Sequence, residues 1–200
     1  HKGRFYDIPE MEITPKPVQQ PVPFYVASFS ETSADMAARH GLNIIYAPFA
    51  AGMVYGGLEP AVASYREKCR ALGHEPGRAM CSYFIHIADD AEAEDYGRER
   101  QMAYFQHCVL PAFPDDPAKA PPTMHYFMDI VRILQNMKKE DLGERSILIG
   151  SPAKIIDTLK NVEAAGIEEV ILYFNVGNKP DAMVREQMHR FIEEIAPAFL

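Results

Sequence analysis

The sequence lacks an excess of basic residues and lacks any long apolar run. Its 200 residues carry 20 lysines and arginines against 28 aspartates and glutamates, a formal net charge of −8. This balance argues against a nucleic-acid or anionic-membrane partner, because both need a basic face. No stretch approaches 18 consecutive apolar residues, so no transmembrane helix is predicted. The N-terminal residues also lack the apolar core of a signal peptide.

Cysteine is scarce, and the common site motifs are missing. Cys69, Cys81 and Cys108 are far apart and form no CxxC pair, so neither a disulfide framework nor a zinc site is predicted. Three reduced thiols favour a cytoplasmic protein. None of the seven histidines stands in HxH, HExxH or HxxxH spacing, so no metal site of a common kind is expected. GxGxxG, GxxxxGK[ST] and GxSxG are absent too, which removes the main support for dinucleotide, P-loop and nucleophile-elbow sites.

The sequence does contain a repeated alternation of apolar runs and helical patterns. Hydrophobic residues make up 48% of the chain and charged residues 24%, which is typical of a soluble globular domain. Apolar runs without alternation indicate strands that are buried on both faces, as in parallel sheets. Buried strands are predicted at 24–28, 43–47, 80–88, 146–150 and 169–174. Helices are predicted at about 31–40, 58–72, 90–110, 125–138 and 152–165, with a last helix through 184–195 that ends at Pro197.

Three segments are predicted to be less regular. Residues 4–8 are interpreted as a short edge strand in a proline-rich lead-in, and residues 48–57, which contain three glycines, as a loop. The proline-rich stretch 111–145 is too long for an ordinary connection, so we predict a functional insertion or lid there. It is expected to be the most mobile or least regular part of the chain.

Strands that alternate with helices imply right-handed βαβ units and a parallel sheet with its helices outside. A (β/α)8 TIM barrel takes about 250 residues, so this chain has room for four or five units. We therefore interpret residues 1–200 as roughly half of an α/β barrel. Two open parallel edges are costly to leave unpaired, so the other half is expected from a longer parent chain or from another chain.

The turn from Ala27 to Ser33 is the first candidate site. It lies at the carboxyl end of a strand, which is the active face of a βα-barrel, and at the start of a helix, where free amides and hydroxyls bind phosphate. The alternative is that Ser30 or Thr32 only caps the helix, and local chemistry alone favours this reading. Glu31 also counts against phosphate, because its charge repels an anion.

Two other features carry less functional signal. Ser151 and Pro152 open a later helix, but the proline removes an amide that a phosphate would use, so capping is the better interpretation. His86 lies near the active end of a strand and is the best lone histidine, although a packed or solvent-facing side chain is expected more often.

An ordered set of short segments resembles the luciferase-like flavin-dependent monooxygenases, the bacterial luciferase superfamily. No one segment is very specific, but together they span nearly all 200 residues in order. They are residues 3–6, 15–19 with Pro21, 24–30, 37–41, 149–152, 177–180 and 188–197.

The resemblance implies a (β/α)8 barrel that uses reduced FMN and O2, or the deazaflavin F420. It implies that the turn after the first strand contacts the flavin, with Ser30 and Ser33 reaching the phosphate. The cofactor-binding residues implied in this way are Ala27, Ser28, Phe29, Ser30 and Ser33. Family chains are longer, and their N-terminal half carries the usual catalytic histidine, so no catalytic residue is assigned here.

The resemblance favours a monooxygenase acting on an aldehyde or another small organic molecule, with flavin delivered by a flavin reductase. Segments 48–57 and 111–140 are expected to shape the substrate pocket. An F420-dependent oxidoreductase of the same fold is one alternative, and a non-catalytic half-barrel that binds a ligand or partner is another. The chain alone is expected to be inactive, and to form a homo-oligomer or to pair with a complementary N-terminal half.

Overall fold

The computed structural model describes residues 1–114, 116–122, 125–143, 145 and 147–200, without the side chains of 117 and 126. Five strands form one sheet. They are β1 (Tyr25–Ser28), β2 (Asn43–Tyr46), β3 (Ala79–Ile87), β4 (Ile147–Gly150) and β5 (Glu169–Tyr173). Each predicted strand is present to within a residue or two, although position 146 lies outside the described residues; the prediction of burial on both faces is wrong for β1 and β5, most of whose residues are only half-buried.

All strand pairs in the sheet are parallel. β1 pairs with β2, and β2 pairs with the start of β3. β3 then pairs with β5 from Met80 to Phe84 and with β4 from Phe84 to Ile87. Since Met80 and Cys81 pair with both β2 and β5, these two strands lie on opposite edges of β3. The prediction of neighbouring parallel strands is confirmed, with β3 as the central strand.

Within the described ranges, six α-helices lie between the strands and a seventh follows β5, and short π and 3-10 turns extend two of the seven. The α-helices are α1 (Glu31–Arg39), α2 (Pro48–Tyr55), α3 (Leu58–Ala71), α4 (Ala91–Tyr104), α5 (His125–Asn136), α6 (Pro152–Ala164) and α7 (Asp181–Arg190). The turns after α4 run from Phe105 to Ala112, and those after α7 run from Phe191 to Phe199. Pro197 therefore lies within the last turn and does not end it.

The helices occupy both faces of the sheet. Ile85 of β3 belongs to a core with residues of α1, α3 and α6, including Ala37, Tyr65 and Leu159. The adjacent residue Phe84 packs against a second core built from α4, its π-turn and α5. Because neighbouring strand residues point to opposite faces, the two cores lie on opposite sides. The expectation that all helices lie outside is wrong for α4 and α5, whose apolar residues cover the face of the sheet opposite α1, α3 and α6.

Two irregular segments differ from the sequence interpretation. Residues 48–57 are mostly helical, because Pro48 stands at the first helical position and Gly56 ends α2 in the left-handed conformation at φ 87°. Residues 4–8 form no strand; a lone antiparallel bridge joins Lys2 to Asp7. Between Leu110 and Leu142, α5 is flanked by short 3-10 turns. No helix of the described residues is long and apolar enough to cross a membrane.

Candidate functional site

Three serines converge where β1 ends and α1 begins. The Ser28 hydroxyl lies 3.1 Å from the Ser33 hydroxyl, which in turn lies 3.2 Å from the Ser30 hydroxyl. Ser33 also donates to the Ser30 carbonyl oxygen at 2.8 Å. Ser28 is buried and the other two are half-buried. The chain thus gathers three of the five predicted cofactor-binding residues into one hydroxyl cluster, which we call the serine turn.

The serine turn caps α1. Ser30 is the N-cap residue, and its hydroxyl accepts from the Ser33 amide at 3.4 Å, while the Ser33 hydroxyl accepts from the Ser30 amide at 3.3 Å. This reciprocal arrangement confirms the capping interpretation. It does not use every donor, since the amides of Glu31 and Thr32 have no acceptor among the described residues. The helix end therefore retains free amides beside three hydroxyls, which are the groups that bind phosphate.

The other two predicted residues occupy different positions. Ala27 is exposed on β1 and takes part in its pairing with β2. Phe29 is half-buried next to the serine turn, with its ring 6.2 Å from that of Phe49 and 5.6 Å from that of Phe127. Phe29 therefore connects the serine turn with a group of aromatic side chains.

An aromatic cavity of about 340 Å³ lies beside Phe29 at the carboxyl ends of the strands. Its lining comes from the ends of β1, β2 and β5, from the middle of β3 and from α4. The aromatic members are Phe29, Phe49, Phe84, Tyr104 and Tyr173, and the remaining members are Ala47, Pro48, Ser82, Arg145, Asn175 and Val176. Parallel α/β folds bind ligands at this edge of the sheet.

The lining only partly follows the predicted pocket. Pro48 and Phe49 come from the segment 48–57, as expected, and Arg145 comes from the end of the insertion. Residues 111–140 are not part of this lining as described, although α5 reaches it indirectly through the Phe127–Phe29 contact. Ser82 and Phe84 are two residues apart on β3, so their side chains point to the same face of the sheet. This spacing is the sequence signal that could have revealed the cavity.

Two other cavities help to define the site. A cavity of about 430 Å³ shares Phe29 and Ser30, but it is also lined by Glu31 and Asp129, whose charges disfavour an anion. A larger cavity of about 630 Å³ runs beside β5, α6 and the C-terminal turn. It shares no residue with the serine turn or the aromatic cavity, so its size alone does not make it the candidate site.

His86 is a packed residue of the sheet–helix interface. Its ring is buried beside Gly97 of α4 and lies 5.9 Å from the ring of Tyr96. Burial, together with the nearby charge of Lys179, lowers the pKa of His86 to about 4. The packed interpretation is confirmed. The described residues also contain no group of three or more histidine, cysteine or acidic side chains that could hold a metal ion.

Lys179 is a buried cation that the sequence interpretation missed. Its Nζ donates to the carbonyl oxygens of Ile85 and Phe174, each at 3.1 Å. Burial lowers the pKa of Lys179 to about 8. The lysine thereby links the end of β5 to β3. These hydrogen bonds position the segment at the end of β5, from which Tyr173 and Asn175 line the aromatic cavity.

Comparison with known proteins gives one family match and one curated relative. A sequence profile of the luciferase-like monooxygenases matches residues 1–169. The flavin-dependent trigonelline monooxygenase, oxygenase component, of Acinetobacter baylyi is 22% identical over 215 residues, covering all of this chain and 55% of that protein. The chain thus spans about half the length of the curated relative that it matches.

Two solved structures share the fold over the whole chain. An F420-dependent secondary alcohol dehydrogenase, in complex with an F420–acetone adduct, matches with a TM-score of 0.66, 18% identity and 55% of its own length covered. The oxygenating constituent of 3,6-diketocamphane monooxygenase from Pseudomonas putida, in complex with FMN, matches with a TM-score of 0.56, 18% identity and 58% of its length covered. Because the profile match covers most of the sequence, the chain belongs to the luciferase-like monooxygenase family.

Proposed function

We propose that this chain forms the C-terminal half of a flavin-dependent monooxygenase barrel, which uses reduced FMN and O2 to oxygenate an aldehyde or another small organic molecule. The observation that supports this most is the contiguity of the serine turn and the aromatic cavity. Phe29 lines the cavity and stands between Ser28 and Ser30 of the turn. A phosphate group and a flat ring thus have adjacent places in one site.

The residues of the site fit the chemical parts of FMN. The free amides of Glu31 and Thr32, with the hydroxyls of Ser30 and Ser33, offer donors to a phosphate at the positive end of the α1 dipole. Glu31 and Asp129 line the cavity beside Ser30 and oppose an anion, but both side chains are exposed, so water and salt screen their charges. The aromatic walls of the cavity offer flat apolar surface to a ring system.

Reduced flavin, when bound, supplies the electrons and the reaction with O2. The chain's own residues bind and orient. The serine turn would hold the phosphate, and Phe29 and Phe84 would exclude water from the space beside the ring. The cavity lining described contains no histidine, lysine or carboxylate, and no proton-transfer role is assigned to its two tyrosines, Tyr104 and Tyr173.

F420 is the second cofactor candidate, because the fold also matches an F420-dependent dehydrogenase. The partners proposed are a flavin reductase, in keeping with the oxygenase-component name of the curated relative, and either a second copy or a complementary N-terminal half. The cytoplasm remains the proposed location.

A competition titration distinguishes the cofactors. The 200-residue chain is titrated with FMN while flavin fluorescence is followed, and F420 is then added as competitor. We expect saturable FMN binding, weaker than micromolar because half of the flavin bed is not in this chain, and little displacement by an equal concentration of F420. Tighter binding of F420 would favour the dehydrogenase alternative, and no binding of either would favour the non-catalytic half-barrel.

A further inference from the structure

The outer edge of β5 is open in the part of the chain that the structure describes. The Glu168 amide donates to the Ala79 carbonyl oxygen at 2.9 Å, so alternate residues from 168 onward hydrogen-bond to β3. The backbone groups of Glu169, Ile171 and Tyr173 therefore point to the other side. β5 pairs with β3 and with no other described strand. An unpaired strand edge is a template for pairing with another chain.

An apolar groove runs beside this edge, and we call it the β5 groove. It is the cavity of about 630 Å³ between β5, α6 and the C-terminal turn. Its apolar walls are Leu159, Val162, Val170, Leu172, Phe191 and Phe199. Its charged lining consists of Glu163, Glu168 and Glu169 with a single arginine, Arg66. The groove thus suits an extended segment that carries both apolar side chains and positive charge.

One of the three glutamates is available to a partner. Arg66 pairs with Glu168 at 3.5 Å, and Arg78 pairs with Glu169. Glu163 is exposed and forms no ion pair with any residue that the structure describes. A cation supplied by another chain would therefore find an unpaired carboxylate at the rim of the groove.

The segment 4–8 has the matching chemistry. Its pattern predicts a strand, yet it joins no sheet in the structure, and Phe5 and Tyr6 are 80% and 73% exposed. The Arg4 guanidinium lies 5.1 Å from the centre of the Phe5 ring and forms no ion pair within the described residues. The segment folds back on the N-terminus, with the Gly3 amide donating to the Tyr6 carbonyl oxygen at 2.9 Å. Such a lone hairpin is marginally stable in water, so the segment can be exchanged for a better partner.

We propose that residues 4–8 of one copy add as a strand to the β5 edge of a second copy, and that the two copies exchange these segments. Because side chains alternate along a strand, Arg4, Tyr6 and Ile8 share one face, which covers the β5 groove and brings Arg4 to Glu163. The exposed residues 9–23 span up to about 50 Å when extended, which lets the segment reach a neighbour. The interface forms without flavin, so it goes beyond the proposed function and is tested separately from it.

Sedimentation velocity of the flavin-free chain, over a range of concentrations, tests this proposal. The variants are Tyr6→Asp, Arg4→Glu, Glu163→Lys, and Arg4→Glu combined with Glu163→Lys, all at exposed positions. The matched control is Val18→Asp, which introduces the same charge at a residue that is 98% exposed and lies outside the strand segment. Circular dichroism establishes that each variant is folded.

We expect the unaltered chain to form a dimer. Tyr6→Asp should raise the dimer Kd at least about tenfold, because it removes an aromatic side chain from the interface and places a negative charge at an acidic rim. Arg4→Glu and Glu163→Lys should each raise the dimer Kd several-fold. The double variant reverses the ion pair and should recover most of the affinity, and Val18→Asp should dimerise like the unaltered chain.

A peptide of residues 1–10 provides the second arm of the test. In excess it should dissociate the dimer, whereas the same peptide with Tyr6→Asp should not. A strictly monomeric chain would overturn the proposal and leave the β5 edge to a complementary half of the barrel. An equal loss of affinity for Tyr6→Asp and Val18→Asp, or no recovery in the double variant, would overturn it as well.

Discussion

Gly97 shows how one residue of α4 allows the helix to approach the sheet. A β-carbon at this position would lie 2.5 Å from His86 Cδ2 and 2.9 Å from Ile149 Cδ1. We expect Gly97→Ala to destabilise the chain by about 1–2 kcal/mol, because overpacking costs about 1–3 kcal/mol and exceeds the gain in helix propensity of about 1 kcal/mol. Urea denaturation measures this change.

The matched control is Gly52→Ala in α2. Its new methyl group would lie 3.5 Å or more from Arg145, which is ordinary contact. This substitution should be neutral or stabilising by up to about 1 kcal/mol. Equal effects of the two substitutions would contradict the close packing of His86 against α4.

His86 should make stability depend on pH at acid values. The unfolded residue keeps its ordinary pKa of 6.5, whereas burial lowers the folded value to about 4. Between these values the unfolded state binds more protons, so the free energy of unfolding falls as pH falls from 6.5 to 4, by about 3 kcal/mol in all. His86→Gln should lose less stability than the unaltered chain over this range. Parallel pH profiles for the two proteins would refute this account of the buried ring.

At the scale of elements, Lys179 holds β5 against β3. Lys179→Met removes the ammonium donor from the carbonyl oxygens of Ile85 and Phe174, of which Phe174 keeps the Val176 amide at 3.2 Å, so we expect a loss of about 1–3 kcal/mol at pH 7. The folded lysine has a lowered pKa of about 8 against 10.5 when unfolded. Between these values the unfolded state binds more protons, so the stability of the unaltered chain rises with pH.

The variant provides the control for this pH effect. An uncharged amine still has two N–H groups for the two carbonyls, so raising the pH from 7 to 9.5 should widen the stability difference between the unaltered chain and Lys179→Met. A difference that stays constant would show that the lysine charge carries no burial cost.

Local patterns predict the strands and caps well, because those features depend on neighbouring residues. The five apolar runs became strands, and Ser151 caps its helix as expected. The helix α2 was missed because the glycines at 52, 56 and 57 suggested a loop, although Pro48 and Gly56 are good start and stop signals. The face on which α4 packs depends on contacts distant in sequence, such as Gly97 with His86, which no local pattern reveals.

The candidate site was predictable only in its serine half. A strand that ends at Ser28 and is followed by Ser30 and Ser33 is a local feature. The aromatic cavity gathers residues from Phe29 to Val176, so its composition follows from the register of the sheet. Arg145 carries no motif that marks it out in the sequence, and Lys179 stands in the segment 177–180 of the family resemblance without any local sign that it is buried.

At the scale of the whole molecule, the surface predicts association. Residues 1–24 are exposed throughout and carry large apolar side chains such as Phe5, Ile13 and Val18. Apolar residues of β5, α6 and the C-terminal turn line a further open cavity. Since large apolar patches seldom stay in water, light scattering should give a mass above that of the monomer. A strict monomer that binds FMN below micromolar concentration and turns over an aldehyde would contradict the proposal of half a barrel.

The central claim is that the serine turn holds the flavin phosphate, and FMN titration of Ser30→Asp tests it most directly. Aspartate is as good an N-cap as serine, so α1 should stay folded while the added charge repels phosphate. Ser30→Asn is the uncharged control at the same position. Ser151→Asp is the control for an added charge at another helix cap. We predict that Ser30→Asp lowers the affinity for FMN at least about tenfold. Its affinity for riboflavin, which has no phosphate, should stay unchanged. The other two variants should bind FMN nearly as well as the unaltered chain. Equal FMN affinity for Ser30→Asp and Ser30→Asn, or an equal loss for riboflavin, would contradict the claim.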